Sequence, residues 1–470
     1  MTRSDKPTEA RSAAEAQETA NVQLTAQLVA RIERIPSSPF HLKARVIVGT
    51  ATFFDAFDAM TVSYILPVLV GLWKLKPGAI GNMISSGYIG QILGAVFFGW
   101  LAERKGRMVA LRLSVLIMSV FSLACAFAWD YNSLFTFRLI QGLGLGGEVP
   151  VAGAYINEIF KAKGRGRFVV LYEYLFVIGV FIASLLGYLM VPLLGWQSMF
   201  VLGAVPAVAV IFMQRSLPES PRWLAIHGRL EEAEKTVAII EASASRGGKV
   251  QLPPIVPGVS MSTKKTDVRE LFKDRYLRRT LTVWVLWFGS YLLTNGLSPW
   301  LPTLWVSVYH LSLKDALFWA MGTRFVILIT CLVIALYFDV VGRKVWFTGG
   351  LLGGAAFLLA LWLMRSPTPF FTVWTMTTIA QLCVSLLNVA LWAYNPELYP
   401  TRLRALGTSI STAWMRLASA IGPALTGYVM AAYSLNAVWL VFGVVVLISG
   451  IITWLFAVET RNRVLEEVSP

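Results

Sequence analysis

The sequence predicts an all-α membrane protein, with twelve transmembrane helices in two pseudo-symmetric six-helix bundles. Three observations carry that prediction. Hydrophobic residues fill 56% of the 470 positions and charged residues only 14%, against about a quarter charged in soluble domains. The mean hydropathy is +0.64, and the apolar residues gather in runs that meet the roughly 20 residues needed to cross a bilayer. The second half of the chain also repeats signals of the first.

The apolar runs fall at about 45–73, 79–101, 109–128, 133–159, 168–192, 196–214, 280–308, 315–339, 344–364, 370–394, 405–432 and 435–458. They divide the chain into a polar tail (1–44), a first bundle (45–214), a polar central segment (215–279), a second bundle (280–458) and a short tail (459–470). The central segment holds a helix-like stretch, RLEEAEKTVAIIEA (229–242), and a Gly/Pro/Ser-containing linker over 244–265. Residues 1–30 read as largely disordered, with a short amphipathic helix near 21–34. The first 40 residues are polar and the first apolar run is too long for a signal core, so no secretory signal is expected.

Lysine and arginine set the orientation. The loops after helices 2 and 4 carry Arg104, Lys105 and Arg107, then Lys161, Lys163, Arg165 and Arg167. Those after helices 8 and 10 carry Arg343, Lys344, Arg402 and Arg404, while the opposite side has only Lys74, Lys76, Lys314 and Arg365. Both termini are therefore expected in the cytoplasm. The net charge of +15 is mostly this topological signal, with some attraction to anionic lipid. It is spread over short loops and not over one soluble surface, which argues against a nucleic-acid partner. Cys125, Cys331 and Cys383 stand singly in apolar segments, without metal spacing, and read as core thiols. No cofactor and no metal are expected.

The halves answer each other. GWLAERKGR (99–107) matches ALYFDVVGR (335–343), and NEIFKAKGRG (157–166) matches PELYPTRLRA (396–405), with Glu158 and Arg165 at the spacing of Glu397 and Arg404. LPESPRWL (217–224) closes the first half and AVETRNRVLEE (457–467) the second. Duplicated six-helix halves are the layout of a carrier that rocks around a site at their interface.

These residues also carry a resemblance. GWLAERKGR looks like the loop 2–3 signature of the major facilitator superfamily, with Glu103 for the usual aspartate and Met108 for a basic residue. RLIQGLGLGGEVPVAGAYINEIFKAKGRGR (138–167), PESPRWL and ETRNRVLEE look like its sugar-porter branch and relatives. RIERIPSSPFHLKARVIVGTATFFDAFDAM (31–60) resembles the entry to helix 1 in bacterial niacin-type and synaptic-vesicle-glycoprotein-like carriers, and its aspartates resemble those of aromatic-acid:proton symporters. NPELYPTRLRALGTS (395–409) and WMRLASAIGP (414–423) resemble animal organic anion and cation carriers. Helix 7, WVLWFGSYLLTNGLSPWLP (284–302), lacks the glutamine pair of true sugar porters, and helix 5 lacks the Gly-Pro motif of drug:proton antiporters.

The chemistry starts from FFDAFDAM (53–60), where Asp55 and Asp58 share one helix face. A bare carboxylate costs several kcal/mol or more in hydrocarbon. Asp58 lies roughly 20 Å from the cytoplasmic end of helix 1, at about 1.5 Å per residue. An acid there must be protonated, paired or wet. Helix 4 offers Arg138 near its outer end and Glu148 deeper. The resemblance implies that Asp58 takes a proton and that Arg138 pairs with its ionised form; the alternative is a permanent ion pair bracing helix 1 on helix 4. Asp55 either shares the coupling or braces the helix. Glu148 either relays the proton or bonds a neighbouring helix. Gly142, Gly144, Gly146 and Gly147 read as close-packing residues, because no strand precedes them to make a nucleotide loop.

Arg416, deep in helix 11, is the strongest substrate-binding candidate, and Arg324 in helix 8 is the second. A guanidinium at that depth wants an anion, and a carboxylate substrate satisfies it in bidentate fashion. Organic-anion carriers, by the resemblance, have an arginine at the place of Arg416. The alternative is an internal salt bridge. Tyr64, Tyr172, Tyr174, Trp300 and Trp392 are candidates to line a pocket for a planar ring. Asn295, Asn388 and Glu173 are polar groups at membrane depth, suited to substrate or to packing hydrogen bonds. Glu103, Arg104, Arg107, Glu158 and Arg165 in one half, and Asp339, Arg343, Glu397 and Arg404 in the other, form charge clusters that by resemblance latch the halves in the outward-facing state.

The expectation is a proton-coupled symporter importing a small organic acid such as nicotinate or benzoate, working as a monomer in a bacterial inner membrane. A proton:sugar or sugar-acid symporter is the alternative. No HExxH, no GxSxG and no nucleophile–base set appears, and His41, His227 and His310 fall at helix ends or loops, so an enzyme is not expected.

Overall fold

The computed structural model describes residues 24–160, 165–248, 250–255, 268–365, 368–399 and 401–460. The tail up to residue 23, linker residues 256–265, Lys161, Lys163 and positions 461–470 lie outside them. Among the described residues everything regular is helical. Helix α1 covers 24–34. It is followed by α2 (Pro39–Trp73), α3 (Pro77–Lys105), α4 (Arg107–Ala126), α5 (Tyr131–Ile159), α6 (Arg165–Leu194), α7 (Gln197–Gly203), α8 (Pro206–Ser216), α9 (Pro221–Ile226) and α10 (Leu230–Ala244). A 3₁₀ turn (Val268–Phe272) leads to α11 (Asp274–Leu297), a second 3₁₀ turn (Ser298–Trp300) and α12 (Leu301–Ser307). Then come α13 (Leu313–Val341), α14 (Arg343–Met364), α15 (Phe370–Glu397), α16 (Thr401–Ala432) and α17 (Leu435–Phe456).

Twelve membrane crossings result, six in each bundle, and two are broken where continuous helices were expected. The sixth divides into α7 and α8, with Pro206 opening α8. The seventh passes from α11 through the turn at Pro299 into α12, with Pro302 in its first turn. Proline has no amide to donate and clashes with the preceding turn, so the helix stops and restarts. Eight described helices contain stretches long and apolar enough to cross a membrane unaided. The other four crossings, α5, α7–α8, α11–α12 and α16, are shorter or more polar. Among them α5 carries Arg138, Gln141 and Glu148, and α16 carries Arg416. Such side chains survive in a bilayer only when turned inward.

Glycine brings α3 and α5 together. A Cβ added at Gly90 or Gly94 of α3 would run into the main chain of α5 at Leu139 or Leu143, and one at Gly142 would meet the main chain of Gly87. Main chain thus lies on main chain, as small residues permit in membranes.

Among the described residues, the bundles touch at the end away from α1, α9 and α10. There Asn82 donates to the Tyr428 hydroxyl at 3.1 Å. Gly81 and Gly427 leave no room for a Cβ against Pro423 and Pro77. Helix α6 crosses α13 through Tyr188 against Phe318 (5.8 Å between centroids) and Phe181 against Phe325 (5.7 Å).

At the other end α1 docks on α9 and α10. Leu28 and Ile32 join Trp223, Leu224, Ala233 and Val237 in a small separate core. Arg31 and Arg34 both pair with Glu241, at 2.8 and 2.7 Å, and Arg222 pairs with Glu33 at 2.6 Å. The Trp223 indole donates to the Glu103 carbonyl at 2.9 Å, fixing the assembly to the first bundle. Burial alone would push the Glu241 carboxyl up, but the hydrogen bonds and charges of Arg31 and Arg34 outweigh it and hold Glu241 below the usual range. An acid held low contributes to docking above its free value, and the contribution is lost as pH falls through the docked value.

Two outcomes follow. Gly90→Val overpacks the α3–α5 crossing and should cost about 1–3 kcal/mol, read as a lower melting temperature in detergent. Gly153→Ala, with open space around it, should be neutral. Glu241→Gln should speed tryptic cleavage after Arg31 and Arg34 several-fold, whereas Glu234→Gln should change it little, because the Glu234 side chain is 57% exposed.

Candidate functional site

Helix α2 carries its two acids into the interior of the first bundle. Asp58 is fully buried and Asp55 nearly so. The Asp58 carboxylate takes a hydrogen bond from Ser122 of α4, Oγ to Oδ1 at 3.0 Å. Its other oxygen, Oδ2, has no protein hydrogen-bond partner among the described residues. Arg138 of α5 is also buried, and a Cβ at Gly87 of α3 would lie 2.8 Å from its Nη2, so glycine there makes room for the guanidinium. The expected carboxylate–guanidinium contact is not made in this arrangement. Arg138 Nη1 instead donates to the Asp58 backbone carbonyl at 3.1 Å and to Gln141 Oε1 at 2.9 Å. Lower on α2, Thr52 donates to Glu148 of α5 at 2.8 Å, so Glu148 joins these two helices.

Asp55 is within electrostatic range of the second bundle. Its charge acts on Arg416 of α16, which also senses Tyr291 of α11, and on Tyr88 of α3. Arg416 and Arg324 are both half-buried. Arg324 of α13 acts on Tyr64 and Tyr88. Tyr64 is buried, its ring against Gly187, where a side chain would not fit. An electrostatically linked group therefore spans the two halves, with Asp55, Tyr64, Tyr88 and Arg138 from one bundle and Tyr291, Arg324 and Arg416 from the other. Tyr291 packs on the buried Trp287 at 5.4 Å, and Trp392 lies edge-on to Trp287 at 5.2 Å.

The remaining sequence candidates divide. Asn295 donates to Ser419 at 2.8 Å and Asn388 to Thr294 at 3.2 Å. Trp300 is fully buried and its indole donates to the Pro423 carbonyl at 3.1 Å, a packing contact and not a pocket wall. Tyr174 donates to the Leu328 carbonyl of the second bundle at 3.4 Å. The side chains of Tyr172 and Glu173 lie outside the described residues, as do those of Arg165, Asp339 and Arg404. Among the described residues, no three His, Cys, Asp or Glu gather as metal ligands would.

The described gate pairs fall within each bundle, not between the bundles. Arg107 pairs with Glu158 at 3.0 Å and Glu103 at 2.9 Å, and Arg104 lies over the Trp100 ring at 4.8 Å. Arg343 pairs with Glu397 at 3.7 Å. Each cluster includes a glutamate that sequence reasoning missed. Glu219 accepts from the amides of Arg107 (2.9 Å) and Met108 (3.1 Å), capping α4, and burial pushes its carboxyl up against the pull of those amides. Glu459 accepts from Arg343 and Lys344, each at 3.0 Å, capping α14. Gly106 and Gly342 precede these helices at φ +107° and +98°, conformations that favour glycine. Ser122, Gln141, Tyr88 and Tyr291 were also missed. Gln141 had a signal, three residues past Arg138 on one helix face; the other three had none.

Comparison with known proteins gives the following. A family described as "Sugar (and other) transporter" matches residues 68–470. The chain is 33% identical to the niacin transporter NiaP of Acinetobacter baylyi (strain ATCC 33305 / BD413 / ADP1), over 94% of this chain and 99% of that one. It is 29% identical to the 4-hydroxybenzoate transporter PcaK of the same organism, over 63% of this chain and 65% of that one. Among solved structures it resembles the xylose transporter XylE from E. coli in a partially occluded inward-open conformation. The TM-score is 0.71 at 17% identity, covering 89% of this chain and 100% of that one.

Proposed function

The chain belongs to the sugar (and other) transporter family, and on that premise we propose that it is a proton-coupled symporter importing a small organic acid, an aromatic carboxylate such as nicotinate or benzoate. One observation carries the reading: Arg416 of the second bundle lies within electrostatic range of Asp55 of the first, one helical turn from the buried Asp58. A cation and an acid that belong to different moving bodies, next to a second acid able to hold a proton, are the parts a coupled carrier needs. The niacin and 4-hydroxybenzoate relatives support a planar aromatic acid.

With both termini in the cytoplasm of a bacterial inner membrane, the end where the bundles meet is outside and the arrangement is inward-facing. Residues 45–214 and 280–458 then rock as two bodies, with the central segment 215–279 between them and the tails 1–44 and 459–470 on the cytoplasmic side. In the outward state ionised Asp58 holds Arg138. Proton uptake frees the guanidinium, which turns to the Asp58 carbonyl and Gln141, the contacts it makes here. The substrate carboxylate binds Arg416, with Arg324 close by, and its ring stacks on Tyr291 and Trp392. With Asp58 neutral and Arg416 paired to substrate, reorientation carries less unbalanced charge through hydrocarbon. Proton and substrate leave to the cytoplasm. One chain suffices, and no catalytic step is involved.

A sugar substrate finds less support. Two amides it would use are engaged, Asn295 with Ser419 and Gln381 with Ser298.

The test is uptake of radiolabelled nicotinate, benzoate and xylose into proteoliposomes, with and without an inward proton gradient. An aromatic acid should accumulate only with the gradient. Asp58→Asn should abolish accumulation while counterflow exchange continues. Arg416→Ala should raise the substrate KM about 10–150-fold, the equivalent of one lost charge-assisted bond. Xylose uptake indifferent to Arg416→Ala would overturn the substrate class, and accumulation retained by Asp58→Asn would overturn the coupling.

A further inference from the structure

We propose that Ser122 is a positioning residue for proton transfer, a hydroxyl that satisfies Asp58 in both of its protonation states. The proposal rests on the reading of Asp58 as the proton carrier. Ser122 Oγ lies 3.0 Å from Asp58 Oδ1 and 3.0 Å from the backbone carbonyl of Phe200 on α7. A serine has one hydrogen to donate and lone pairs to accept with, so it donates to one of these oxygens at a time. When Asp58 is ionised, Ser122 donates to Oδ1. When Asp58 carries its proton on Oδ1, that proton is donated to Ser122 Oγ, and the Ser122 hydrogen rotates to the Phe200 carbonyl. No bond to carbon or oxygen of the protein is made or broken beyond the O–H of Asp58, and the proton enters from and returns to water.

The site is built for this contact. Asp58 and Ser122 are both fully buried. Gly203, one turn beyond Phe200, has no Cβ; one there would run into both Asp58 Oδ1 and Ser122 Oγ. Three helices, α2, α4 and α7, thus meet at one hydroxyl. Among the described residues, the charged and titratable groups near Asp58 are Arg138 from α5, Asp55 on its own helix and Cys125 from α4, with the neutral Gln141 amide acting on Asp58 as well as on Arg138. From α7 the described contacts are main chain. None of the others offers a hydroxyl that reverses its role.

A bond to a carboxylate is roughly twice as strong as one to its neutral form, so removing the hydroxyl harms the ionised state more. Gradient-driven uptake falls at alkaline pH as the carrier loses its proton. In Ser122→Ala that alkaline midpoint should move up by about half to one pH unit. Driven uptake should drop several-fold because proton release inside is slower, while substrate KM and counterflow exchange at equal pH stay close to wild type. Ser122→Cys, similar in size with a weaker donor, should lie between, and it carries the test if the alanine variant does not fold. An unshifted midpoint, or driven uptake and counterflow falling together, would make Ser122 a packing residue and overturn the proposal. Asp58→Asn run alongside separates the two ideas. If it still accumulates substrate, the coupling reading has failed. If it does not and Ser122→Ala keeps the wild-type profile, only the role of Ser122 has failed.

Discussion

A carboxyl group at mid-membrane depth cannot borrow hydration from the lipid, so the protein must supply what water would have supplied. Much of the first bundle answers that constraint around Asp58. Ser122 reaches it from α4, and Arg138 from α5 takes its carbonyl. Both approaches depend on missing side chains, at Gly203 for the hydroxyl and at Gly87 for the guanidinium. The glycine crossing of α3 and α5 is therefore more than packing. In the proposed coupling, it sets the distance from which Arg138 reaches either the carboxylate or the carbonyl of Asp58.

The division of polarity among the helices follows from the same constraint. Most of the more apolar helices leave the larger part of their apolar stretch exposed to lipid, α2 being the buried exception; α5, α11 and α16 carry hydroxyls, amides and arginines and would be poor membrane spans alone. In the proposed mechanism, charge that would be prohibitive in hydrocarbon is used between the two bundles, where Asp55 and Arg416 lie within electrostatic range of each other. At the loop ends the duplicated design is structural. Glu219 and Glu459 cap equivalent helices after equivalent glycines, so each bundle carries its own anchor.

The fold was largely legible because bilayer physics writes it in long apolar runs and basic loops. The breaks at Pro206 and Pro299 were present in the sequence but hidden inside continuous apolarity, since hydropathy does not register a missing amide. Asp55, Asp58, Arg138 and Arg416 stood out as charges in hydrocarbon. Their partners did not, because Ser122, Tyr88 and Tyr291 are ordinary residues whose meaning comes from which helix lies opposite. The gate charges were legible as residues but not as pairs. Spacing alone does not say that Arg107 meets Glu158 inside one bundle, nor that Glu219 closes the group. Trp300 reads from sequence as a ring for substrate, and only the carbonyl of Pro423 beside it gives it another task.

The most direct test of the central claim is infrared difference spectroscopy of the reconstituted protein between acid and alkaline pH, without substrate. A protonated carboxyl in an apolar site has a carbonyl stretch separate from the amide bands. The account predicts one such band that titrates with pH and disappears in Asp58→Asn. A spectrum in which no titrating carboxyl depends on Asp58 would contradict it.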